Sequence, residues 1–107
     1  MTTKLLLHNY DKCIVNLANS ILENFGIKPK GETLLLVDQF LDKKYKNIVV
    51  LLLDGLGTSV LESNAKEDGF LRRHFISSIN TVFPPTTVAA TTSIISGMQP
   101  IEHAWLG

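Results

Sequence analysis

The sequence predicts an α/β protein built around a parallel sheet, only part of which lies in these 107 residues. Three observations carry that expectation. Ile48–Leu53, in "NIVVLLLDGLG", is an unbroken apolar run rich in β-branched residues, the pattern of a strand buried on both faces. "ISSINTVF" alternates in polarity and reads as a second strand. The resulting order (helix, helix, strand, helix, strand, helix) is that of strands joined by right-handed helical crossovers. Two strands are too few for a complete sheet, so the chain is expected to be a fragment of a larger domain.

Taken in order, Asn9 or Tyr10 to Asn24 reads as an amphipathic helix, with Cys13, Ile14, Leu17, Ala18, Ile21 and Leu22 at helical spacing. Gly26 stops it and "KPKG" turns the chain. "ETLLLVDQFLDKKY" is a second helix, with Leu34, Leu35, Phe40 and Leu41 inward and lysines at its negative end. After the first strand, "TSVLESN" opens a short helix at Thr58 or Ser59, and "DGFLRRHF" forms another short helical piece. Beyond Pro84-Pro85, "TTVAATTSIIS" is a helix closed by Gly97. On it, Ala89, Thr92, Ser93 and Ser96 share one face, read as close packing against the sheet. Trp105 is expected to anchor a core or an interface.

Composition narrows the function classes. Hydrophobic residues make up 45% of the chain, enough for a packed core. Formal net charge is zero, which argues against a nucleic-acid partner, since binding phosphate backbones needs a basic face. Cys13 is the sole cysteine, which excludes an internal disulfide and a thiolate-built zinc site; it is expected in the core. The apolar runs are too short for a signal peptide or a bilayer span, so the expected setting is cytoplasmic and off the membrane.

Ligands of open α/β sheets gather at the carboxyl ends of the strands. Asp54 follows the first strand directly, and Thr86-Thr87 follow the second through the two prolines. A threonine hydroxyl is a weak nucleophile that needs a base or a metal, and Asp54 is a hard oxygen ligand for a divalent cation. A helix starting near Thr86 would turn free N–H groups toward a phosphate. Hydroxyl, metal and helix N-terminus together suit phosphoryl transfer. Each feature also has a structural use: Asp-Gly is a common turn, and either threonine can cap a helix. "DGLGTSV" is a poor dinucleotide-binding loop, because Val60 stands where the third glycine belongs.

"NIVVLLLDGLG" followed by "TVFPPTTVAATTSIISGMQPIEHAWLG" resembles the N-terminal part of the alkaline phosphatase superfamily, nearest its type I phosphodiesterase and nucleotide pyrophosphatase branch. The resemblance runs from about Asn47 to the last residue. It implies a doubly wound, three-layer catalytic domain of which residues 47–107 are the first strand–helix–strand–helix unit, residues 1–46 being an N-terminal helical segment. It further implies that Asp54 is a metal ligand and that Thr87 is both metal ligand and nucleophile, with Thr86 the alternative. Thr87 would attack the phosphorus of a small phosphate ester to give a phosphothreonine that water then hydrolyses, beside two divalent cations, usually zinc.

Two departures accompany the match. The nucleotide pyrophosphatases carry an asparagine three positions after the nucleophile, where this chain has Ala90. The family's remaining Asp and His ligands come from later in the chain, so these residues alone are expected to be inactive and to need the rest of the catalytic domain. His8 and His74 read as solvated, and His103 falls in the family's loop after the helix without a ligand role. Two other readings stand beside this one: a non-catalytic α/β module that binds a partner, and a phosphomutase relative of the same superfamily. Substrate identity and self-association stay open.

Overall fold

A computed structural model describes residues 12–107. All regular secondary structure among them is helical: α1 (Ile14–Asn24), α2 (Leu35–Leu41), α3 (Thr58–Asn64), α4 (Phe70–Arg73), α5 (Thr87–Ser96) and α6 (Pro100–His103). The expected parallel sheet, and with it the α/β class, is therefore corrected: no strand forms among the described residues. Their one β-type contact is an isolated parallel bridge between Cys13 and Asn80.

Each expected strand fails for its own reason. Asn80 N–H donates to Lys12 O at 2.9 Å and Ile14 N–H to Asn80 O at 3.1 Å. Ile14 is already the first residue of α1, so the backbone curls away and the ladder cannot extend past it. The alternation of "ISSINTVF" instead delivers Val82, 1% exposed, to a helical core. Ile48–Leu53 finds no partner among the described residues for any backbone N–H or C=O, and Val49 and Leu51 are 92% and 79% exposed. Strand pairing is a property of two edges, and continuous hydrophobicity supplies only one of them.

The chain divides into two compact units, one made of Met1–Ile48 with Ile79–Gly107 and the other of Val49–Ser78. In the first, α1 packs against α5 and α2, and α5 against α6. The centre is small: Cys13, Val15, Val82 and Ala89, with Ile14 and Ala90 against them. Cys13 is fully buried, as its pattern predicts. The small-residue face of α5 does pack closely, burying Ala89 and Ser93, and the packing partner is α1 rather than a sheet.

Around this core, α1 buries a polar edge that apolar periodicity does not reveal. Asn16 and Asn19 each donate through Nδ2 to Glu32 O at 3.0 Å. Ser20 Oγ accepts from Leu34 N–H at 2.8 Å, and Asn24 brackets Tyr45 by donating to its carbonyl at 2.9 Å and accepting from its N–H at 3.1 Å. The spacing of Asn16, Asn19 or Ser20, and Asn24 keeps these groups on one side of the helix. They tie down the backbone on both sides of α2. That helix is shorter than expected, with Leu35 and Phe40 turned out to solvent (77% and 54% exposed) and Lys43 and Lys44 beyond its end.

The second unit holds α3 and α4, as the sequence predicts, and Thr58 is the first residue of α3. Arg72 Nη1 donates to Glu62 O at 3.2 Å, and the Thr58 and Ser78 hydroxyls meet at 2.8 Å. No side chain of α3 or α4 is buried.

Candidate functional site

Thr86 and Thr87 begin α5 after a cis Phe83–Pro84 bond, and the structure separates their roles. Thr86 is the N-cap: its extended backbone (φ −90°, ψ 153°) lets Oγ1 accept from Ala89 N–H at 3.2 Å. The same hydroxyl donates to Leu106 O at 2.8 Å. Thr87, the first helical residue, is exposed, and its hydroxyl has no hydrogen-bond partner among the described residues. The backbone N–H groups of Thr87 and Val88 are likewise without acceptors there, as the first turn of a helix requires. A free hydroxyl thus stands beside two free donors at the positive end of a ten-residue helix.

Asp54 occupies an exposed turn with Gly55, whose φ of +70° explains the glycine. Gly57 sits at φ −78° as the N-cap of α3 and has no comparable need. Asp54 belongs to the second unit and Thr87 to the first. Among the described residues no group of three or more His, Cys, Asp or Glu side chains could hold a metal ion. Zn²⁺ sites draw on about three or four protein ligands, so one carboxylate and one hydroxyl do not furnish that set.

Ala90, in place of the pyrophosphatase asparagine, lies partly buried against the core cluster, and its N–H donates to Thr86 O at 2.9 Å. The position therefore serves helix packing and offers nothing to an anion. His74 is exposed, with Nδ1 on Phe70 O at 2.7 Å and its ring 4.4 Å from that of Phe70; His8 lies outside the described residues. Trp105 is 65% exposed and anchors no core.

His103 is the residue whose part the sequence leaves undefined. It ends α6, a helix that "QPIEH" encodes through proline at the first helical position and a reciprocal cap, Gln99 N–H donating to Glu102 Oε2 at 2.7 Å. Its Nε2 lies 2.8 Å from Oγ of fully buried Ser93 on α5, and its Nδ1 accepts from Trp105 N–H at 3.0 Å. Because Nδ1 is the acceptor, the proton sits on Nε2 and is donated to Ser93. The pair is not a serine nucleophile with its base.

A separate cavity of about 450 Å³ is lined by Asn16, Asn19, Lys30, Glu32, Gln99 and Glu102 among others. Asn19 Oδ1 is buried and unpaired beside it, yet presents no accessible surface to a ligand.

No family model, curated protein or solved structure matches the chain. Among the described residues, no helix is long and apolar enough to cross a membrane.

Proposed function

We propose that the chain contributes the nucleophile of a metal-dependent phosphoric ester hydrolase of the alkaline phosphatase superfamily, of phosphodiesterase or nucleotide pyrophosphatase type. The observation that carries this reading is the division of labour at α5: Thr86 spends its hydroxyl on the helix cap and Leu106, while Thr87 keeps its own exposed and unpaired. In the proposed reaction Thr87 Oγ1 loses its proton to solvent and bonds to phosphorus as the ester oxygen departs and takes up a proton. Water later hydrolyses the phosphothreonine, restoring the hydroxyl and releasing the phosphoryl group. The Thr87 and Val88 N–H groups meet the phosphoryl oxygens.

Asp54 as a metal ligand, zinc as the metal, a small phosphate ester as the substrate and the cytoplasm as the location belong to the same proposal. The missing ligands are assigned to a remainder of the catalytic domain. The exposed apolar run Val49–Leu53 supports such a remainder, because contiguous exposed apolar surface marks an interaction site.

The test is hydrolysis of bis-p-nitrophenyl phosphate by the longer protein containing this chain, supplied with Zn²⁺. Thr87→Ala is expected to abolish turnover and Thr86→Ala to leave it measurable; unchanged turnover in Thr87→Ala rejects the assigned nucleophile. A non-catalytic binding module is the second reading, favoured by the lack of a three-ligand group among the described residues. It requires that the longer protein take up no metal.

A further inference from the structure

His103 joins three pieces of chain around the start of α5. Through Nε2–H it holds Ser93 in the middle of that helix, and through Nδ1 it holds the N–H of Trp105. Between them Ala104 adopts the left-handed conformation (φ 60°), uncommon for a residue with a side chain and sustained only where surrounding contacts fix it. The reversal at Ala104 directs Trp105–Gly107 back to the α5 N-terminus. There Leu106 O accepts from Thr86 Oγ1, and a Cβ on Gly107 would lie 3.7 Å from the Thr86 methyl.

We propose that His103 is a proton-sensitive latch that positions the Trp105–Gly107 strap over Thr86, beside Thr87. Only the neutral Nε2–H tautomer makes both bonds. A second proton would sit on Nδ1 and face the Trp105 N–H, setting donor against donor, while the bond to Ser93 persists. The latch is therefore closed while the ring is neutral and opens when Nδ1 takes a proton. Opening releases Leu106 from Thr86 and leaves the cap to Ala89 in place.

Among the described residues the neighbouring charges are few. Helix α5 has no ionisable side chain, nor has Trp105–Gly107. On α6 the only other such group is Glu102, occupied by the Gln99 amide. Glu23 is the ionisable residue of α1, near its far end, and Lys30 and Glu32 line the cavity shared with Glu102. The latch stands by itself; its consequence for catalysis rests on Thr87 as nucleophile.

The experiment is an NMR pH titration of the 107-residue chain. Imidazole ¹⁵N shifts are expected to show the Nε2–H tautomer at high pH. The Trp105 and Leu106 backbone resonances are expected to titrate with the same midpoint as the His103 ring. His103→Gln is expected to flatten that response, and His74→Gln to leave it intact. An Nδ1–H tautomer at high pH, or a Trp105 amide indifferent to ionisation of the His103 ring, overturns the proposal even if His103→Gln does not fold. Neither readout uses turnover, so a failed hydrolase assay and a failed latch are told apart.

Discussion

Ser20→Ala tests whether the polar edge of α1 holds the chain entering α2. Ser20 is 1% exposed, and its Oγ is the acceptor for the N–H of Leu34, itself 4% exposed. Removing the hydroxyl strands that donor where water cannot reach it, a loss of about 1–3 kcal/mol. Alanine returns about 0.5 kcal/mol through better helix propensity. The expected net destabilisation is about 1.5 kcal/mol, which lowers Tm by roughly 6–12 °C in a domain of this size. Urea unfolding followed by far-UV circular dichroism reads it directly. Asn24→Ala is the internal comparison: it removes two bonds, but Tyr45 is 46% exposed and water can replace them, so its cost is expected to be smaller. A Ser20→Ala variant as stable as the parent, or one less affected than Asn24→Ala, refutes the reasoning.

Three further outcomes follow from single sites. Thr86→Ala removes the α5 cap and the bond to Leu106 and is expected to cost about 1 kcal/mol or more by chemical denaturation. Gly97→Ala forces a side chain into φ +69° with its Cβ 3.3 Å from Leu22 Cδ1, and a loss of about 1–2 kcal/mol is expected in the same assay. Leu51→Lys, at a position 79% exposed, is expected to change unfolding free energy by less than about 0.5 kcal/mol; a loss several times larger would show that the run is buried in solution.

The helices were the legible part of this chain. Thr86, Gly97 and the run between them announce α5 by its cap and its left-handed stop, which are local chemistry. A sheet is not legible in the same way because pairing is not local: the alternation around Val82 serves equally well to place one valine against a helix. Helix α6 carries its own signal in Gln-Pro-Ile-Glu, a reciprocal cap with proline inside it, but at four residues it lacks the periodicity by which helices are recognised. The buried face of α1 escaped because Asn16, Asn19, Ser20 and Asn24 count as polar in any hydropathy pattern, and only their distant backbone partners reveal why they are inside. At the candidate site, the order of residue types pointed to the threonine pair, whereas the distinction between the two hydroxyls required the position of Leu106.

The bare hydrocarbon of Val49–Leu53 bears on how this polypeptide behaves when concentrated. Five uncharged residues without proline or glycine form a template on which identical molecules can stack into fibrils. Lys43, Lys44 and Lys46 on one flank and Asp54 on the other serve as gatekeepers, imposing charge on any stacked register. Neutralising those lysines, by acetylation or by raised salt, should shorten the lag before light scattering rises.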